Sequence, residues 1–310
     1  MTKVISIGEA LIDFMPTGET GYELSPGGAP ANVAACVSIL GGESQIITKL
    51  GNDFFGDYLL GIMKSKNINC SSVLRTNEAN TGLAFVSHTH GGERSFLFYR
   101  NPSSDMLLDE SEIKEEWFEK GDVLHFCSVD LVDAPVRKAH DKAIEIAWKK
   151  RCFICFDPNI RLSLWDDHEE YKNIVNKYID YADIIKVSDE ELFFITGITN
   201  EEEAIKTLLN RVQMVVYTKG RKGAEVFTKV YHVSHLGHEA EPIDTTGAGD
   251  SFIGAFLYQL IKKQVDGEFA VDKIKMEEIL DFANKVASMV VEQKGTIDIM
   301  PTLEQVNQRV

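Results

Sequence analysis

Short apolar runs alternate along the chain with stretches in which apolar positions recur every three or four residues. KVISIG (3–8), SQIITKLG (44–51), DVLHFCS (122–128), CFICFD (152–157), ADIIKVS (182–188) and QMVVYTKG (213–220) have strand length. Several are apolar on both faces, as the central strands of a parallel sheet must be. Between them lie segments of helical period. Pro30 to Leu40 opens with proline in its first turn and stops at Gly41-Gly42, and residues 133–149, 167–180, 200–210 and 275–293 follow the same start and stop logic. Strand then helix, repeated, predicts an α/β fold with a doubly wound, mostly parallel sheet and helices on both faces.

Two segments break the alternation. Residues 12–29 and 82–100 are rich in glycine and β-forming residues, and GLAFVSH and RSFLFYR flank His90-Gly91-Gly92 as the arms of a hairpin. They are expected to form a small β lid on a core made of residues 1–11, 30–81 and 101–310. A flap inserted into an open α/β sheet lies near the strand ends, where ligands bind in this architecture. Its exposed edge also offers a pairing surface, so a homodimer through the lid is expected.

Composition narrows the partners. Asp plus Glu is 48 against 32 for Lys plus Arg, a formal charge of −16 over 310 residues, which repels phosphate backbones and anionic lipid. Neither nucleic acid nor a membrane is expected as a partner. The N-terminus, MTKVISIGEALIDF, lacks a secretory pattern, and no run approaches the ~18 apolar residues of a membrane span. Five cysteines, at 36, 70, 127, 152 and 155, sit in apolar surroundings and suit a reducing, cytoplasmic compartment. Cys152 and Cys155 form a CxxC, but on a strand an offset of three puts the thiols on opposite faces. His232, His235 and His238 read as a strand leaving through Gly237 into a loop, where that spacing does not converge three imidazoles on a metal.

The most informative stretch is Asp244-Thr245-Thr246-Gly247-Ala248-Gly249-Asp250-Ser251-Phe252, followed by the apolar helix FIGAFLYQLIKK. Small residues at 247–249 leave backbone N–H groups accessible at a helix start, where the helix dipole also favours negative charge. Asp250 would repel a resting phosphate there, yet it suits a base that takes a proton from a nucleophile beside that phosphate. Alone, it fits equally well a side chain that satisfies the helix start. Gly27-Gly28-Ala29-Pro30-Ala31-Asn32 opens the helix ending at Leu40; the glycines permit close backbone approach, and Asn32 is an amide able to donate and accept. That suits a polyhydroxylated ligand or a plain loop-to-helix junction. Asp13 can grip two sugar hydroxyls or simply be solvated. GxxxxGK[ST], GxGxxG after the first strand, HRD, DFG and GxSxG are all absent from the sequence, which excludes several phosphate-binding and hydrolase patterns.

GGAPAN near the N-terminus together with DTTGAGDSFIGAF near the C-terminus resembles the ribokinase-like carbohydrate kinases of the phosphofructokinase-B type, over essentially the whole chain. FYRNPSSDMLL (98–108) and FDPNIRLSLW (156–165) look more narrowly like fructokinases of that family. The resemblance implies a ribokinase-like α/β domain with a β lid, binding ATP and a sugar in the cleft between them. It makes Asp250 the base that deprotonates the acceptor hydroxyl and the amides of Gly247, Ala248 and Gly249 the anion hole. Asp13, Gly27, Gly28 and Asn32 would hold the sugar; Phe98, Arg100 and Arg161 would complete the acceptor pocket or its phosphate side. Thr218, Lys219, Gly220 and Gly223 in YTKGRKG, with Lys186 and Asn284, would serve the nucleotide. Glu191 matches the glutamate of the family's Asn-x-x-Glu motif and would place Mg²⁺ through water, although Ser188 replaces the asparagine. Asp244, Thr246 and Gly295 match a loop that often holds K⁺.

The implied reaction is in-line transfer of the γ-phosphoryl of ATP to D-fructose at O6, without a covalent enzyme intermediate. The nearest rival is a 2-keto-3-deoxygluconate kinase, because Arg100 and Arg161 would equally bind a carboxylate. A non-catalytic sugar-sensing module would have no need of a carboxylate at position 250.

Overall fold

The computed structural model describes residues 2–18, 20–88, 94–263 and 271–309. The turn expected at His90-Gly91-Gly92 lies outside them. From the N-terminus the chain runs β1 (Lys3–Ile7), β2 (Leu11–Thr17), β3 (Gly21–Gly27), α1 (Ala29–Ile39), β4 (Glu43–Gly51), α2 (Phe54–Ser65), β5 (Val73–Thr76), β6 (Leu83–His88) and β7 (Arg94–Tyr99). It continues through β8 (Val123–Cys127), α3 (Pro135–Lys150), β9 (Phe153–Asp157), α4 (His168–Ile179), β10 (Ile184–Ser188), α5 (Asp189–Thr196) and α6 (Glu201–Leu209). The last part holds β11 (Met214–Thr218), β12 (Ala224–Thr228), β13 (His232–His235), α7 (Ala248–Lys262), α8 (Lys273–Val290) and α9 (Leu303–Gln308).

Among the described residues the large sheet has the order β13-β12-β11-β10-β9-β8-β1-β4-β5. The pairs from β11 through β1 to β5 are parallel, whereas β11–β12 and β12–β13 are antiparallel. The antiparallel edge follows from chain length, because the short turn between Thr218 and Ala224 can join only antiparallel neighbours.

The parallel strands bury both faces. In β1, Ile5 and Ile7 join the core that α3, α4, α5 and α6 cover, while Val4 joins the one under α1, α7 and α8. Ile5 and Phe256 have no exposed surface, and each such burial contributes roughly 1.5–3 kcal/mol. Cys152 and Cys155 fall in these two different cores and both are free thiols, so the CxxC builds no shared site.

The glycine-rich interruptions form a second sheet, β3-β2-β6-β7. Its register aligns Asp13 with Ala84 and Ala84 with Phe98, so one face presents Asp13 and Phe98 on either side of a small alanine. The alternate positions Phe14 and Phe85 stack at 4.5 Å, and Tyr22 packs edge-on to both.

Candidate active site

The connectivity of the large sheet reverses at β1, with β4 on one side and β8, β9 and β10 on the other. Ligands bind outside the carboxyl ends of strands at such a switch point, and a cavity of about 420 Å³ opens there. Residues just past the strand ends line it: Glu9 after β1, Val129 after β8, Asn159 and Arg161 after β9, and Ser188 at the end of β10, with Glu191 in the first turn of α5. The starts of α1 and α7 and the Asp13–Phe98 face of the small sheet complete the wall.

Asp250 lies in the first turn of α7, on the cavity wall and largely buried. Asn32 Nδ2 donates to one carboxylate oxygen at 2.8 Å, and Asn159 Nδ2 to the other at 3.2 Å. Burial raises the Asp250 pKa above the usual carboxylate range, while the Asn32 bond, the charges of Lys186 and Arg161, and the Asn159 bond pull it back. The result is a poorly solvated carboxyl whose pKa is raised on balance and whose two oxygens both meet amide donors, an environment that suits a base. Asn159 holds a left-handed backbone, φ 47°, right after Pro158.

No side chain caps the start of α7, whose preceding residue Gly247 adopts φ 75°. Gly247 and Gly249 line the cavity. Ala248 differs from the expected anion hole: its N–H turns to the Thr245 carbonyl at 3.3 Å, and the residue is not part of the wall. Lys186 also stands at this helix start, its ammonium 3.2 Å from where a Cβ on Gly249 would lie. Lys186 is buried against Asp157, Nζ to Oδ1 3.1 Å. Burial opposes the lysine charge, but Asp157, Glu191 and Asp250 outweigh it and raise the pKa, so this lysine stays cationic beside the helix start.

The sugar-side expectations divide. Asp13, Gly28, Asn32, Phe98 and Arg161 all line the cavity. Burial raises Asp13 to about 7 against the nearby Arg161 charge. Gly28 has φ 101°, and a Cβ there would stand 2.4 Å from the Glu9 carbonyl oxygen, so only glycine lets α1 begin this close to β1. Glu9 fixes the same junction by accepting from Ala29 N at 3.0 Å. Gly27 lies behind the wall, where a Cβ would come within 2.3 Å of the Asp13 carboxylate; its service is to leave room for that side chain.

Arg100 sits apart from the other sugar-side candidates. It is not on the cavity wall but turned inward, ion-paired with Asp105 and Asp130, and its side chain is 3% exposed against 1% for each partner. Burial disfavours its charge, and Asp105, Asp130 and Glu9 more than restore it. Its two buried carboxylates give it charge-assisted hydrogen bonds, and removing any one partner would leave a buried charge uncompensated.

Glu191 lines the cavity, and its carboxylate accepts from Ser188 N at 2.8 Å and Ile160 N at 3.0 Å. Ser188 in turn accepts from Glu191 N, a capping box that starts α5. The serine thus still orients the glutamate. Thr218, Lys219, Gly220, Gly223 and Asn284 lie outside the cavity wall. Thr218 ends β11 in register with Ser188, Lys219 pairs with Glu201 and Glu225, and Asn284 reaches the His235 carbonyl at 3.4 Å. They form a shelf along the same edge of the sheet. Asp244 accepts from Thr246 N at 2.7 Å; Thr246 lines the cavity, whereas Asp244 and Gly295 stand behind it.

The three imidazoles do not converge, as expected. His232 turns to Glu225, Nε2 to Oε2 2.7 Å, but His235 and His238 converge on Asp281 of α8. Sequence reasoning also missed Glu9, Asp157 and Asn159. The two last stand in the FDPNIR stretch whose Arg161 was singled out, and a polar pair flanking proline just past a strand end is the signal that marks them.

A family model of pfkB family carbohydrate kinases matches residues 1–303. Probable fructokinase-5 of Arabidopsis thaliana is 41% identical over 308 residues, 96% of this chain and 94% of its own length. Fructokinase-2 of Solanum lycopersicum is 40% identical, covering 97% and 94%. Among solved structures, fructokinase from Vibrio cholerae O395 in fructose, ADP and calcium ion bound form superposes with TM-score 0.92 at 33% identity, over 99% of this chain and 98% of that one. Aminoimidazole riboside kinase from Salmonella enterica, complexed with aminoimidazole riboside and an ATP analog, reaches TM-score 0.89 at 26% identity, over 99% of each chain. The fold is therefore shared by kinases named for different acceptors. With the family model and these relatives spanning nearly its whole length, the chain belongs to the pfkB family of carbohydrate kinases.

Proposed function

We propose that this chain is an ATP-dependent fructokinase that phosphorylates D-fructose at O6. The observation that carries the reading is Asp250, a buried carboxylate on the cavity wall with an asparagine amide on each oxygen. Relatives of about 40% identity are named fructokinases, and this supports fructose as the acceptor.

Asp13, the backbone at Gly28, Asn32 and Phe98 hold and orient the sugar. Asp250 takes the proton from the attacking hydroxyl while the γ-phosphoryl moves from ATP to the sugar oxygen. The start of α7 at Gly247 and Gly249 and the Lys186 ammonium offset the charge on that group. Thr218, Lys219, Gly220, Gly223 and Asn284 receive the nucleotide. Glu191 would hold hydrated Mg²⁺ through water: its carboxylate faces the cavity, two backbone amides fix it, and a hard cation that keeps its waters suits such a donor. When bound, Mg²⁺ neutralises phosphate oxygens. Asp244, Thr246 and Gly295 would hold K⁺, a role supported by the buried Asp244 carboxylate and by the potassium ion in a fructokinase structure of 33% identity.

Withdrawal of Arg100 into its carboxylate pair removes one of the two cations on which a 2-keto-3-deoxygluconate kinase would rest, and this favours the neutral sugar. The small sheet serves as the lid that excludes water. Tyr22, Leu97 and Tyr99, at 50%, 59% and 60% exposure, are the apolar surface through which a homodimer forms. The free cysteines suit a reducing cytoplasm. A coupled ADP-release screen across hexoses, pentoses, nucleosides and aldonic acids tests the reading. Fructose giving the highest kcat/KM, with fructose 6-phosphate as product, is expected; preference for an aldonic acid would overturn it.

A further inference from the structure

We propose that His235, His238 and Asp281 bind a borderline divalent cation of the zinc class where β13, the loop after it and α8 meet. The three ligand atoms all lie within 4.8 Å of one another. Asp281 Oδ1 stands 2.8 Å from His238 Nε2 and 3.5 Å from His235 Nε2. Zinc bonds of ~2.0–2.2 Å to imidazole and carboxylate imply tetrahedral edges of about 3.3–3.5 Å, so the His235–Asp281 edge already fits and side-chain shifts of roughly half an ångström to an ångström on the other edges admit the ion.

The hydrogen bonding of His235 points the same way. Its Nδ1 lies 2.8 Å from the Leu236 carbonyl, which can only accept, so Nδ1 carries the proton. The Asn284 amide is 3.5 Å from that nitrogen, too far to compete. With Nδ1 taken up by that carbonyl, Nε2 faces a carboxylate oxygen, a pair that a ring proton or a metal cation can bridge. A ligating histidine whose other nitrogen donates to a backbone carbonyl is the usual outer-shell pattern of a metal site.

Two imidazoles and one carboxylate select zinc, nickel, cobalt or copper over Mg²⁺, which prefers an all-oxygen octahedron. The ligand side chains are 33%, 25% and 43% exposed, which leaves an entry path and a fourth position for water. The −16 net charge draws cations to the surface. Occupancy would tie the loop after β13 to α8, the helix that carries Asn284. That last consequence rests on the nucleotide reading above; the site does not.

The test is titration calorimetry of the tag-free, chelator-stripped full chain with zinc chloride, in excess Mg²⁺ and without nucleotide, alongside visible absorption on adding cobalt. One saturable equivalent with a tetrahedral cobalt band is expected. His238→Gln and Asp281→Asn should each weaken zinc by about 100-fold or more, since even outer-shell changes cost ~10- to 100-fold. His232→Gln should bind as the wild type does, and circular dichroism verifies that every variant is folded. Absence of a saturable equivalent, or folded His238→Gln and Asp281→Asn proteins that bind zinc unchanged, would overturn the proposal whatever the acceptor sugar proves to be.

Discussion

Replacing Arg100 by methionine separates a structural arginine from a sugar ligand. The side chain is 3% exposed and ion-paired to Asp105 and Asp130, each 1% exposed, with Nε also donating to Asp105 at 3.1 Å. Methionine fills most of the volume but leaves two carboxylates buried without a cation, and Glu9 is near enough to add to the repulsion. Removing one partner of such a buried pair costs about 3–5 kcal/mol. For 310 residues, an unfolding entropy of about 2.1 cal/mol/K per residue gives roughly 0.65 kcal/mol per degree, so the Tm should fall by about 5–8 °C. Protonation relieves unpaired carboxylates, so the loss should be larger at pH 8 than at pH 5.5. Asp130→Asn added to Arg100→Met should recover part of it, because the two sites are coupled. Scanning calorimetry reads the Tm, and steady-state kinetics well below the transition should keep kcat/KM for fructose within a few-fold of wild type. An unchanged Tm with collapsed sugar affinity would refute the reasoning and return Arg100 to the pocket.

Two further outcomes follow from the electrostatics of the cavity. Asn159 donates to the ionised form of Asp250, and a hydrogen bond to a charged group contributes ~1.5–3 kcal/mol, so Asn159→Ala should cost about tenfold or more in rate at neutral pH. Its removal raises the Asp250 pKa further, so the acid limb of the kcat/KM profile should move to higher pH; an unmoved limb would deny it the positioning role. In the ligand-free protein, burial raises Asp13 from 3.8 to about 7. The folded state therefore binds that proton more tightly than the unfolded chain, and the stability from this group is full below about 3.8 and lost as pH rises through about 7. Asp13→Asn should lose less Tm than wild type between about pH 4.5 and 7.5; parallel slopes in the two proteins would contradict the burial argument.

What was legible in the sequence was local. Central strands such as β1 and β9 bury both faces and so appear as unbroken apolar runs, and the start of α7 is written in consecutive small residues. Helix α2 was hidden by Gly56 and Gly61, the first of which sits where a Cβ would come within 2.2 Å of the Gly51 carbonyl. Most of what the sequence hid depends on partners far along the chain. Arg100 looks the same in sequence whether it points into the cleft or at Asp130, 30 residues away. Asn159 acquires its meaning from Asp250, 91 residues on. His238 meets Asp281 across 43 residues, from a loop to a helix, so no spacing within the histidine segment could reveal their convergence. Ser188 reads as a departure from a family motif until the capping box shows its hydroxyl and amide still holding Glu191.

The central claim is that Asp250 accepts the proton of the sugar hydroxyl at the start of α7. The most direct measurement is kcat for fructose phosphorylation by Asp250→Asn, with fructose and ATP affinities measured on the same protein by calorimetry. A kcat lower by about 10²- to 10⁴-fold is expected, with both affinities within a few-fold of wild type. A folded variant that turns over at nearly the wild-type rate would contradict it.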